Sequence, residues 1–321
     1  MSYITTALAC GLLATSAVAG AAQLLVLNKS DATLAFIEPA TGTIEATLPT
    51  GEGPHEIELS SDGTLAFIGN YGARTDGNTM SVVDIGARKE LRRIDLGDLA
   101  RPHGLTIAGQ QLYFTSERAK KLGRLDAASQ RVEWTFPTDQ EGTHMVLAAK
   151  DGKTLYATNI QAGTVGIIER GTDDQWTQTL VTVGAGPEGL DLAPDGRELW
   201  VGRSRDGHIS IIDTATKKVA YAFDAKTKRS NRVKFTPDGR WVLVSDLGAG
   251  QLVVFDARTR TERARLTTGP GTTGILIPPR SPHAFVAVSG ANRIALVDLK
   301  SFEITRTIAT GASPDGMAWV P

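Results

Sequence analysis

The chain has 321 residues, of which 34 are basic and 35 acidic, so its net charge at pH 7 is −1. This balance argues against a surface for polyanions, and we expect no general nucleic-acid binding. Cys10 is the only cysteine. The sequence therefore excludes a disulfide framework and the Cys-x-x-Cys-His attachment of a c-type haem.

The N-terminal residues, Met1 to Ala22, carry no charged side chain and include an apolar central stretch. Small residues precede two possible cleavage points, after Ala19 and after Ala22. This pattern predicts a signal peptide over residues 1–22, so the mature protein would be periplasmic or secreted, without a stable membrane span. A permanent anchor is the alternative, but it would press a domain that begins at Gln23 against the bilayer.

From residue 23 onward the sequence repeats one unit seven times. The unit reads, in outline, glycine, proline, a variable residue, an apolar strand, an Asp-Gly turn and further strands. The variable positions, here called the ring residues, recur at intervals of 41 to 48 residues and are His55, His103, His144, Glu188, Asn231, Thr273 and Asp315. A fixed period in this range with several short strands per copy is typical of a β-propeller, in which each copy is one blade.

The strands in chain order predict a closed ring. Residues 23–51 supply only the second, third and fourth strands of a blade, and residues 314–321 supply only a first strand. Completing that blade from both ends of the chain would leave no open sheet edge. We therefore predict an all-β, seven-bladed β-propeller with four antiparallel strands per blade, forming a single domain over residues 23–321.

An acid ends the third strand of every blade and is expected to close the following turn by accepting backbone hydrogen bonds. These seven acids are Glu38, Asp84, Asp126, Glu169, Asp213, Asp256 and Asp298.

Two segments resemble a known repeat. Pro187-Glu188-Gly189 leads through Asp195-Gly196 to Trp200-Val201, and another blade contains Leu155-Tyr156-Ala157-Thr158-Asn159. This pattern is similar to the YVTN repeat of surface-layer and YncE-like propellers. The resemblance implies a propeller fold, but related propellers serve as periplasmic binding proteins, lactone hydrolases, and subunits of amine dehydrogenases or haem d1 enzymes. A fold reused so widely does not fix the function.

The ring residues are the first candidates for a functional site, because the first strand of each blade lines the central channel. His55, His103 and His144 lie on adjacent blades, and with Glu188 they form a hypothetical site for zinc, copper or iron. The alternative is that the imidazoles merely line a water-filled funnel. Glu188 and Asp315 are also candidate catalytic residues, as an acid and base flanking a substrate.

Further candidates for ligand binding are expected at the same mouth. The second strands end there, at residues that include Asn70, Asn159, Arg203 and Asp246. An insertion over residues 71–79 of blade two adds Tyr71 and Arg74. Asn231 and Arg232 lie where the first strand of blade six begins, within a basic segment that either draws an anionic ligand or partner to the mouth or, as the simpler interpretation, forms a solvated turn.

We therefore interpret the chain as an exported YVTN/YncE-like propeller that binds a small ligand, a metal ion or a periplasmic protein partner at its histidine-bearing mouth. One alternative is a metal-dependent enzyme, a lactone hydrolase or an oxidoreductase, that uses the same site. Another is an interaction module of a periplasmic redox system.

Overall fold

The computed structural model describes residues 22–321, so the predicted signal peptide lies outside the described residues apart from Ala22. Within residues 22–321, the strands form seven antiparallel sheets of four strands each. In chain order they are β1 (Gln23–Asn28), β2 (Thr33–Glu38), β3 (Thr43–Pro49), β4 (Pro54–Leu59), β5 (Leu65–Gly72), β6 (Asp76–Asp84), β7 (Lys89–Asp95), β8 (Pro102–Ala108), β9 (Gln111–Ser116), β10 (Lys121–Asp126), β11 (Arg131–Pro137), β12 (Thr143–Ala148), β13 (Thr154–Asn159), β14 (Thr164–Arg170), β15 (Trp176–Thr182), β16 (Pro187–Leu192), β17 (Glu198–Arg203), β18 (His208–Asp213), β19 (Lys218–Asp224), β20 (Ser230–Phe235), β21 (Trp241–Asp246), β22 (Gln251–Asp256), β23 (Glu262–Thr267), β24 (Thr272–Leu276), β25 (His283–Val288), β26 (Arg293–Asp298), β27 (Ile304–Ala309) and β28 (Pro314–Val320). A short 3-10 turn, Ser289–Ala291, follows β25.

Blade one is built from both ends of the described chain. Its strand order is β28-β1-β2-β3, with Gln23 opposite Val320 and Leu25 opposite Ala318. The predicted seven-bladed fold and the predicted closure of the ring are both confirmed.

Apolar side chains of neighbouring blades form the core between the sheets. Phe67 of blade two and Phe114 of blade three, for example, are fully buried in one shared cluster. Alternation along each strand accounts for this packing, because successive side chains point to opposite faces of a blade and both faces meet a neighbour.

The acids at the ends of the third strands behave as predicted in six of the seven blades. Asp256, for example, accepts the backbone N–H groups of Arg258 and Thr259 through one carboxylate oxygen. The carboxylates of the other five acids likewise accept a backbone N–H group of the turn that follows the third strand. These acids are Glu38, Asp84, Asp126, Asp213 and Asp298. Glu169 differs, since its carboxylate forms an ion pair with Lys217 of the next blade.

Glycine lets the first strands approach one another closely around the channel. A Cβ atom on Gly104 would lie 2.6 Å from the Met145 Cα atom, and one on Gly316 would lie 2.4 Å from the His55 carbonyl oxygen. Both distances are far below any van der Waals contact, so a side chain cannot be placed there without moving the neighbouring strand.

The predicted insertion in blade two is part of an extended hairpin. Strand β5 runs on to Gly72, which pairs with Asp76 at the start of β6. Tyr71 is therefore a strand residue, and the exposed Arg74 lies at the tip of the hairpin. None of the elements described for residues 22–321 is a helix long and apolar enough to cross a membrane.

Candidate functional site

A β-bulge in each first strand positions the ring residues. In blade two the register with the second strand shifts between Pro54 and Ile57, and in blade three between Pro102 and Leu105. Each shift spans a ring residue and the residue after it, and the same irregularity recurs in all seven blades. A bulge re-aims side chains relative to a regular strand. The repeat thus builds seven similarly bent strands around one mouth.

All seven ring residues line one cavity of about 310 Å³ at this mouth. Lys29, Tyr71, Arg229 and Arg232 contribute to the same lining. The structure therefore brings together the histidines, acids and amide that the sequence analysis placed in a ring.

The aromatic side chains of this cavity stack against one another. The ring centroids of His103 and His144 are 3.8 Å apart and those of His55 and His103 are 4.8 Å apart. Tyr71 extends the stack, with its centroid 4.7 Å from that of His55. Among residues 22–321, no group of three or more His, Cys, Asp or Glu side chains is arranged to hold a metal ion. A bare metal ion held jointly by the three histidines and Glu188 therefore stays a hypothesis.

Two of the three imidazoles are kept neutral by their surroundings. Burial lowers the pKa of His55 to about 4, and the positive charge of Lys29 adds to this effect. Burial, with the neighbouring His144 and His55 rings, holds the pKa of His103 well below its ordinary value. At neutral pH these side chains carry the lone pair that coordination requires.

Hydrogen bonds fix the orientation of two imidazoles. The Nδ1 atom of His55 lies 2.9 Å from the Gly53 carbonyl oxygen, to which it donates. The Nδ1 atom of His144 donates to the carboxylate of Glu117, and Tyr71 donates its hydroxyl proton to the other oxygen of that carboxylate at 2.6 Å. In both imidazoles Nε2 is left as the nitrogen available to a ligand. A carbonyl or carboxylate behind an imidazole is the usual support of a histidine that coordinates a metal.

Glu117 is held as a carboxylate by its partners. Burial acts to raise its pKa, but the hydrogen bond and charge of His144, the hydrogen bond of Tyr71 and the charge of Arg101 outweigh burial and lower it. Burial and Glu117 together raise the pKa of Tyr71, which therefore stays protonated. The His144–Glu117–Tyr71 chain is accordingly a fixed network at neutral pH.

His103 differs from its neighbours because its polar atom has no partner. Its side chain is buried, and its Nδ1 atom forms no hydrogen bond within the described part of the chain. A buried polar atom without a partner is costly. An unpartnered polar atom beside a cavity is expected where a bound group supplies the missing hydrogen bond.

A network of buried charges forms the floor of the cavity. Lys29 and Asp315 form an ion pair at 2.8 Å, and Arg232 pairs with Glu56 and lies 3.8 Å from Asp315. Burial opposes ionisation of Asp315, but the charges of Lys29 and Arg232 outweigh it and hold its pKa well below the usual range. Glu188 is also engaged, since Asn231 donates to its carboxylate at 2.5 Å.

Several predicted ligand-binding residues lie outside the lining of this cavity. Asn70 accepts the Gly51 N–H group, Asn159 accepts a hydrogen bond from Thr143, and Asp246 accepts the N–H groups of Lys228 and Arg229. Each thus ties the linker between blades to the end of a second strand. Arg203 similarly pairs with Asp206 in the adjoining turn, and Arg74 is exposed away from the ring.

The sequence analysis missed Lys29 and Glu117. Each comes directly after the last residue of a second strand, as Leu247 and Ser289 do, and three of these four line the cavity. Because side chains alternate along a strand, the residue after the strand end faces the channel when the strand end itself faces the linker. Both residues follow from the sequence if the residue after each second strand is taken as the candidate, instead of the last residue of the strand.

Comparison with known proteins agrees with this architecture. Residues 151–280 match the family described as "Cytochrome D1 heme domain". The protein YncE of Salmonella typhimurium is 22% identical over 233 residues, which is 68% of this chain and 65% of YncE. The match therefore spans just under two thirds of that relative.

Solved structures share the fold at low sequence identity. A putative 6-phosphogluconolactonase from Bacteroides fragilis superposes with a TM-score of 0.77 at 16% identity, covering 95% of this chain and 100% of the other. The dihydro-heme d1 dehydrogenase NirN, in complex with DHE, superposes with a TM-score of 0.68 at 14% identity, covering 89% of this chain and 63% of NirN. The match to YncE and the seven-bladed fold confirm the resemblance to YncE-like propellers that the repeat predicted, and the solved structures share the propeller fold.

Proposed function

We propose that the chain binds an iron tetrapyrrole related to haem d1 at its histidine-bearing mouth, with a histidine imidazole as an iron ligand. The observation that carries this proposal is the pair of oriented imidazoles that line the cavity, His55 backed by a carbonyl and His144 backed by Glu117. The match to a haem d1 domain family and the likeness to NirN support the same ligand class.

The donor set of the mouth fits such a group. Neutral imidazole is a common axial ligand of haem iron, and the unpartnered Nδ1 atom of His103 shows that the buried polar groups here are not satisfied by the protein alone. Lys29 and the exposed Arg229, which also line the cavity, suit the carboxylate groups of a macrocycle. When bound, the iron would supply redox or ligand-binding chemistry, while these residues bind and orient it.

The same contacts favour a binding role over acid–base catalysis by Glu188 and Asp315. Asp315 is ionised and paired with Lys29, and Glu188 is hydrogen-bonded to Asn231. A general acid or base needs a pKa near the operating pH, and the low pKa of Asp315 does not meet this requirement.

The proposal is tested by titrating the mature protein with haemin, an accessible iron tetrapyrrole, and recording the visible spectrum. We expect a saturable shift of the Soret band. Replacing His55 and His144 together by Ala should abolish the nitrogen-ligated spectrum, and Glu117→Gln should weaken binding by about 10- to 100-fold, as loss of the group behind a metal ligand usually does.

His283→Ala is the matched control, because it removes an imidazole at the start of β25, outside the cavity. Wild-type affinity and spectrum in this variant are expected. The proposal is wrong if haemin does not bind saturably, or if all three ring histidines can be replaced together without a spectral change.

We also propose that the protein is exported, on the strength of the uncharged leader that precedes β1. Mass spectrometry of protein recovered from the cell envelope should give a mature N-terminus at Gly20 or Gln23. Intact Met1 in a cytosolic fraction would contradict export.

A further inference from the structure

A second cavity, here called the lower cavity, occupies the channel on the other side of Arg232 from the histidine mouth. Its volume is about 350 Å³, and residues from the first strands of all seven blades line it. Apolar side chains, among them Leu59, Leu147, Leu276 and Trp319, alternate in the lining with the polar groups of Glu56, Glu58, Arg232 and Lys234. Arg232 lines both cavities and separates them.

The acids in this part of the channel outnumber the bases. Glu56 is paired with Arg232, and the Lys234 Nζ atom lies 4.0 Å from an oxygen of Asp191. The third acid, Glu58, lines the lower cavity and has no ion-pair partner within 4.0 Å in the described part of the chain. With all five side chains ionised, one negative charge is left without a counter-ion.

Glu58 also differs in its contacts from the residues at the same strand position in other blades. The equivalent residues of two other blades, Thr106 and Asp191, accept backbone N–H groups of the next blade, from Ala148 at 3.2 Å and Phe235 at 2.7 Å. For residues 22–321, the structure shows no such bond between Glu58 and the next blade. Its carboxyl group thus lines the cavity and, unlike its counterparts, does not join two blades.

We propose that the lower cavity binds a small organic cation, a protonated primary amine with a short hydrocarbon body, and that Glu58 is its counter-ion. A partly buried carboxylate without an ion-pair partner is disfavoured, and a bound ammonium group both neutralises it and donates hydrogen bonds. The apolar side chains of the lining would cover the hydrocarbon body of the ligand. This proposal does not rest on haem binding, because Glu58 lies outside the lining of the histidine mouth.

The ionisation of Glu58 gives the proposal a measurable signature. Burial raises the pKa of Glu58 to about 7, against the opposing charge of Lys234 and with the charge of Glu56 adding to the rise. An amine that binds the ionised form draws the proton off, so binding near neutral pH should release protons. The heat of binding would then differ between buffers of different ionisation enthalpy.

The test is isothermal titration of the mature protein with n-butylammonium chloride, with n-butanol as the uncharged control. We expect saturable binding of the amine with a dissociation constant of roughly a millimolar or tighter, and much weaker binding of the alcohol. Glu58→Gln should weaken amine binding by at least about tenfold, the effect of losing a hydrogen bond to a charged group. Haemin binding at the mouth should be unchanged in this variant.

A second variant distinguishes the contribution of the Glu58 charge to amine binding from the contribution of the cavity volume. Leu147→Trp keeps Glu58 but fills part of the cavity and should also weaken binding, while both variants keep the far-ultraviolet circular dichroism spectrum of the folded protein. The proposal is overturned if butylammonium fails to saturate below about 50 mM, if butanol binds equally well, or if Glu58→Gln binds the amine with wild-type affinity.

Discussion

Among single replacements of side chains in the channel, we expect replacement of Arg232 to cause the largest loss of stability. The Arg232 side chain is buried, it forms an ion pair with Glu56, and it lies 3.8 Å from Asp315. Burial works against its charge, but the carboxylates of Glu56, Asp315 and Glu188 outweigh burial and raise its pKa. Arg232→Met would keep much of the side-chain volume while removing the charge.

The expected loss follows from what remains after the substitution. Glu56 would lose its ion-pair partner and stay largely shielded from water, with its side chain 17% exposed. Removing one member of a buried ion pair typically costs about 3–5 kcal/mol, since the other charge is left uncompensated. We expect Arg232→Met to lower the free energy of unfolding by this amount.

Urea denaturation followed by tryptophan fluorescence measures the loss, with Arg92→Met as the control on the exposed outer strand β7, where a change within about 0.5 kcal/mol is expected. The double variant Arg232→Met with Glu56→Gln should recover most of the stability, because it removes the stranded charge as well. A loss below about 1 kcal/mol in Arg232→Met, or no recovery in the double variant, would refute the reasoning.

Two further predictions concern the ring and the histidines. Deleting residues 314–321 removes β28 and exposes Leu24 and Leu25 of β1. The truncated protein should aggregate or melt far below the full chain, because each large apolar side chain exposed costs roughly 1.5–3 kcal/mol. An unchanged melting temperature by calorimetry would show that closure is not needed. His55 has a pKa of about 4 in the folded protein, below the 6.5 of a free imidazole, so the folded state binds fewer protons and stability is lost as the pH falls from about 6.5 towards 4. His55→Gln should flatten this part of the urea-measured stability profile, and an unaltered profile would count against a buried neutral imidazole.

The repeat made the fold predictable to the level of single strands. Proline, glycine and Asp-Gly positions recur with the period of the blade, and each has a local backbone meaning that does not depend on distant contacts. The same locality explains why the turn-closing acids were predicted correctly in six blades. Glu169 escaped the rule because a lysine of the next blade, Lys217, lies within ion-pair reach of its carboxylate.

The composition of the site was only partly predictable, because it depends on which face of a strand end meets the channel. The ring residues could be found from their period. At the ends of the second strands, a choice displaced by one residue selected Asn70, which ties down a linker, and passed over Glu117, which supports His144. Hydrogen bonds between blades, such as the one from Arg232 to Glu56, cannot be predicted from the sequence spacing of either residue.

The closing strand of blade one has a consequence for how the molecule is assembled. Strand β28 lies innermost in its blade and is the last strand in chain order, yet it carries Asp315, the partner of Lys29 from near the other end of the chain. A chain still being synthesised can stack six complete blades before this strand arrives, but its channel has an open seam until then. The ring of channel-lining strands and the Lys29–Asp315 pair are complete only when β1 and β28 meet.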